Sequence, residues 1–150
     1  MRANRLMAVV ASLVVVVLAA GPTEAKRNIK PKAGGYVGKV TNRNGKGQVR
    51  LIVATFNVGS AQRKGPQLNS WTGILECDDG STRDVTSIIF APLTGAKFSS
   101  KMTDGSQTTR LNGRFTANTK LKGTVRVVTK GATPAEKCHT GAVTFKAHRR

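Results

Sequence analysis

Gly123-Thr124-Val125-Arg126-Val127-Val128 sets valines two positions apart with an arginine between them. Successive side chains on a strand point to opposite faces, so Val125 and Val127 read as inward and Arg126 as outward. The same order recurs in Gly47-Gln48-Val49-Arg50-Leu51-Ile52. Each stretch follows a glycine-bearing segment, Gly38-Lys39-Val40-Thr41 in one case and Gly113-Arg114-Phe115-Thr116 in the other. The result is two similar hairpins, related by duplication or by the shared demands of the pleat.

Working outward from these hairpins, β-branched residues and short-range alternation recur, which predicts an all-β chain. Strands are expected over 36–42, 47–56, 70–77, 82–90, 95–102, 107–116, 121–129 and 138–147. Asn44-Gly45, Asp79-Gly80, Asp104-Gly105 and Asn118-Thr119 supply turns, because Asn, Asp and Gly tolerate the backbone that tight hairpins need. Gly59 to Asn69 reads as a long loop. The expected fold is an antiparallel β-sandwich or flattened meander barrel of about eight strands. Parity then sends Val40, Val49, Leu51, Phe115, Val125 and Val127 inward and Lys39, Arg50, Arg114 and Arg126 outward. Lys97 and Lys101 flank Phe98 in the same way.

The chain has 150 residues, with 25 Lys+Arg against 7 Asp+Glu and a net charge of +18. That length supports one modest core. Arg2 and Arg5 precede the apolar run Leu6 to Ala20, Gly21-Pro22 breaks it, and Thr23-Glu24-Ala25 offers small residues for a cut before Lys26. Residues 1–25 therefore read as a signal peptide; the competing reading, an uncleaved anchor, suits a longer apolar stretch better. Its removal takes two cations and one anion, so the charge falls by one unit. Residues 26–35, KRNIKPKAGG, read as a flexible basic arm, and 36–150 as a single β domain.

Cys77 and Cys138 are the only cysteines. In an exported chain they are expected to form a structural disulfide joining the third strand to the last. No CxxC pair or ligand-type spacing points to a metal or a cofactor, and none is expected. Glu76, Asp78 and Asp79 read as turn chemistry beside Gly80. His139 would act as a general base beside Glu76 in a hydrolase, but a solvated histidine at a strand edge is the simpler reading. His148 falls in the terminal AHRR, where disorder is the default. Trp71 is expected to fill one end of the core; an alternative in which Trp71 and Phe98 line the mouth of a barrel for a small apolar ligand stays open.

Charge carries the functional weight. Lys26, Arg27, Lys30, Lys32, Lys39, Arg50, Arg114 and Arg126 form the candidate surface for anionic polymers, cell-wall polymer or nucleic acid, held without sequence specificity. Arg63 and Lys64 in the expected loop add to it. Aromatics are too few for base reading.

The segments Tyr36 to Thr41, Gly113 to Phe115, Gly123 to Val127 and Cys138 to Ala147 resemble small secreted β-sandwich proteins of actinobacteria. The resemblance implies an exported β fold with a cysteine pair, and it transfers no catalytic or binding residue. The expectation is a secreted, non-enzymatic, strongly basic protein associated with the envelope or the extracellular space.

Overall fold

A computed structural model describes residues 28–150. The expected signal peptide, Lys26 and Arg27 lie outside the described residues. Eleven strands follow in order: β1 Gly34–Val40, β2 Gly45–Val58, β3 Ala61–Cys77, β4 Thr82–Val85, β5 Ile89–Phe90, β6 Leu93–Thr94, β7 Lys97–Asp104, β8 Gln107–Ala117, β9 Lys120–Thr129, β10 Cys138–His139 and β11 Val143–Arg149. A single 3-10 turn, Pro134–Glu136, precedes β10.

Every pairing is antiparallel. The strands β3, β2, β1, β11, β9 and β10 are hydrogen-bonded in a ring, which makes the fold a closed barrel. β8, β7 and β6 continue outward from β9, while β4 and β5 pair with β3. Closure leaves fewer open sheet edges, which are a liability for a β protein. The two-residue β10 completes the ring by pairing with both β3 and β9. Here Cys138 lies opposite Cys77, and the disulfide joins them across a sequence separation of 61. The cysteine pair thus fastens the shortest link of the barrel.

The alternation read from the sequence places the core. Val49, Leu51, Phe115, Val125 and Val127 are buried, Val40 is half-buried, and Lys39, Arg50, Arg114 and Arg126 are exposed. Phe115 is buried, with edge-on contacts to Tyr36 and Phe98 at centroid distances of 5.7 and 6.1 Å. Trp71 is buried and its indole N–H donates to the Ser87 carbonyl at 2.8 Å. Phe98 is buried too, so both rings belong to the core and neither lines a mouth.

Gly113 and Gly123 lie directly opposite each other with inward parity. A Cβ on Gly113 would come within 2.3 Å of the Phe98 ring, and one on Gly123 within 2.7 Å of the Phe145 ring. The two glycines let aromatic rings lie against bare backbone.

Four details differ from the sequence expectation. The expected loop over 59–69 is strand: Gly59, at a φ of 61°, turns the chain, and Ala61 onward pairs with β2 as far as Val58↔Ala61. The exposed side chains of Ala61 to Lys64 hid its outer end, which is held by backbone pairing with β2, by Phe56 packing on Phe90 and by Lys64. The expected strand over 82–90 is split between β4 and β5. The last expected strand is interrupted after His139, and Gly141 carries a φ of 63° there. Finally, Ala147, His148 and Arg149 of the AHRR terminus lie in β11, with Arg149 Nε donating to the Ala33 carbonyl at 2.9 Å. The two similar hairpins also differ in register, since Gly38 pairs with Val49 whereas Gly113 pairs with Gly123.

Candidate functional site, a cationic sheet face

Cross-strand register assembles what the linear sequence scatters. Lys97 on β7 is opposite Arg114 on β8, and Arg114 is opposite Lys122 on β9. Lys122 is opposite Lys146 on β11, which is opposite Lys39 on β1. Directly opposed residues share a face. Five cations, all exposed, therefore form one row across five adjacent strands. At about 4.8 Å per strand the row is roughly 19 Å long.

Two residues further along each strand runs a second row. Ser99, Asn112, Thr124 and Thr144 are opposite one another in turn, and Thr41 Oγ1 lies 2.8 Å from Thr144 Oγ1. The Ser99 hydroxyl donates to Asn112 Oδ1 at 2.6 Å. Another two residues on, Lys101, Arg110 and Arg126 make a shorter cation row over β7, β8 and β9. The face thus reads cation, hydroxyl or amide, cation.

A depression of about 360 Å³ lies between the first two rows, with Lys97, Arg114, Lys122 and Lys146 on one side and Asn112, Thr124 and Thr144 on the other. Beyond it the second cation row borders a depression of about 290 Å³ together with Lys130. Lys122 and Lys146 also border a third, of about 450 Å³, that reaches Lys120 and His148. The three follow one another along β9.

Among the described residues no carboxylate stands in either cation row. Glu76 is the penultimate residue of β3, Asp78 and Asp79 form the following turn, Asp84 is on β4 and Glu136 is in the 3-10 turn. Asp104, the last residue of β7, has the opposite parity to Lys97 and Lys101. Among the described residues the one ion pair is Lys46–Asp84 at 2.7 Å, with both ends exposed. The Ser81 hydroxyl and N–H both donate to Asp79 Oδ1, holding its carboxyl below the usual carboxylate range. Glu136 is held below that range chiefly by the Thr133 N–H, which donates to it at 3.0 Å. Burial pushes the Tyr36 phenol up, against an opposing pull from Arg149.

Of the residues singled out from sequence, Lys39, Lys97, Lys101, Arg114 and Arg126 lie on this face. Arg50 is one strand beyond it on β2, opposite Val37, and its Nε donates to Gln48 Oε1 at 2.9 Å. Lys30 and Lys32 precede β1, and their backbone N–H groups donate to Asn118, at its Oδ1 and its carbonyl oxygen, each at 2.9 Å. Arg63 and Lys64 sit on β3, where Lys64 Nζ donates to the Pro31 carbonyl at 2.9 Å. His139 is directly opposite Glu76, and both are exposed.

Lys122, Lys146 and Arg110 were not among the candidates. Each has the same outward parity as its neighbours, but only register shows that they stand together.

Compared with known protein families, with curated proteins and with solved structures, the chain matches none.

Proposed function

We propose that this is a secreted, non-enzymatic β-barrel protein that holds anionic polymers of the envelope or the extracellular space on the face of β7, β8, β9, β11 and β1. The observation that carries this reading is the row of five opposed cations with no carboxylate among the described residues paired to it. Like charges placed directly opposite destabilise a sheet. A ligand that supplies the missing negative charge relieves that repulsion on binding, and it releases counterions from its own atmosphere. The leader-like start of the sequence and the disulfide support export.

The test is retention on immobilised polyphosphate, a probe with charge and nothing else to recognise. The protein is expected to bind at low ionic strength and to elute progressively as salt rises. A Lys122→Glu/Lys146→Glu variant should elute at markedly lower salt. Failure to bind at low ionic strength, or binding indifferent to salt, overturns the reading.

A further inference from the structure

Resting on the polyanion reading of the same face, we infer that its ligand is a linear acidic polysaccharide, with roughly one carboxylate or sulfate per sugar, lying across the strands. Spacing favours a sugar chain. The row offers one cation per strand, at about 4.8 Å intervals, comparable with the advance of an extended polysaccharide over a single sugar ring. A chain lying along the row meets a new cation with each successive residue.

A polar row runs beside the cations. Ser99, Asn112, Thr124, Thr144 and Thr41 form a continuous hydroxyl and amide row about 7 Å away. Hydroxyls both donate and accept, as the hydroxyls of a sugar do. Asn112 takes the Ser99 hydroxyl on its Oδ1, which leaves the amide nitrogen to donate. A polymer of bare charge has no use for such a row; a polyol does. The depression between the two rows is bordered by both, so one chain can touch them together. Lysine and arginine stems supply aliphatic surface for the C–H faces of a ring.

Nucleic acid, the rival class, asks for more than charge. Strands of nucleic acid are held by stacking of bases on aromatic side chains as well as by charge. Tyr36, Trp71, Phe98, Phe115 and Phe145 are all buried. Phe56 and Phe90 pack on each other at 4.9 Å, on β2 and β5, away from the face. Phe145 borders the depression, but at 1% exposure it offers no ring face to a base, so among the described residues the cationic face has no stacking platform.

The experiment is calorimetric titration of the full protein with an oligogalacturonate and with an oligothymidylate carrying the same number of charges, at one ionic strength. The oligogalacturonate is expected to bind at least tenfold more tightly. An Asn112→Ala/Thr124→Val variant should erase that preference while keeping oligothymidylate affinity within about twofold. Lys122→Glu/Lys146→Glu should weaken both ligands. Far-ultraviolet circular dichroism confirms that each variant keeps its strands. Equal affinity for the two ligands, or tighter binding of oligothymidylate, overturns the polysaccharide inference and leaves the polyanion reading standing. If neither ligand binds, both fall.

Discussion

Replacing Lys122 with glutamine should make the protein more stable and a poorer binder at once. Lys122 has Arg114 directly opposite on one side and Lys146 on the other. Two unit charges about 6 Å apart in water repel by about 0.7 kcal/mol. Removing Lys122 deletes two such pairs, so the gain at low ionic strength is about 1 kcal/mol once some repulsion in the unfolded chain is allowed for. Physiological salt, with a Debye length of about 8 Å, cuts this roughly in half. The assay is urea unfolding of wild type and Lys122→Gln at low and high ionic strength, with thermal unfolding as a check; about 1 kcal/mol corresponds to about 4 °C in Tm. The expected result is a higher midpoint for the variant at low salt and convergence of the two proteins at high salt. A variant that is no more stable than wild type at low salt, or a gain that ignores salt, refutes the claim that the row stands unneutralised.

The disulfide closes a long loop at the weakest link of the ring. A Cys77→Ala/Cys138→Ala variant should lose about 4 kcal/mol by chain-entropy reasoning, measured by urea unfolding of the oxidised wild type and the variant; a loss under about 1 kcal/mol would show that β10 holds without the bridge. Gly113→Ala drives a methyl into the Phe98 ring and the Lys122 carbonyl and should cost about 1–3 kcal/mol, whereas Gly35→Ala, with nothing within 4 Å, should cost far less. On the acid side, the carboxyls of Asp79 and Glu136 have folded-state pKa values below their unfolded ones. Their stabilisation is present above the ordinary carboxylate range and is lost as pH falls through the lowered values. Asp79→Asn should flatten that acid limb of a stability–pH curve. On the alkaline side the Tyr36 phenol is raised, so its contribution is complete below pH 10.0 and is lost as pH rises beyond it; Tyr36→Phe should blunt that alkaline decline.

Local pattern made the core and the outward cations legible. Val49-Arg50-Leu51 and Val125-Arg126-Val127 carry their own parity, because the pleat alternates at every residue whatever the partner strand. Asp79-Gly80 and Asp104-Gly105 marked turns, where Gly80 and Gly105 have φ of 81° and 54°. A single pair of cysteines left one intramolecular bridge to draw. What stayed hidden was register. Lys39 and Lys146 lie far apart in the chain yet directly opposite in the sheet, and no short-range signal links them. The outer half of β3 was equally opaque, since Gln62, Arg63 and Lys64 are exposed and carry no apolar face to reveal a strand. Of the site, therefore, the sequence yielded individual outward cations, and the fold supplied their alignment.

The most direct test of that alignment is amide chemical-shift mapping during titration with short polyphosphate. The largest changes are expected around Lys39, Lys97, Arg114, Lys122 and Lys146, with little at Arg63 and Lys64 on β3. Changes centred on β3 or on the residues before β1, or scattered evenly over the exposed cations, would contradict it.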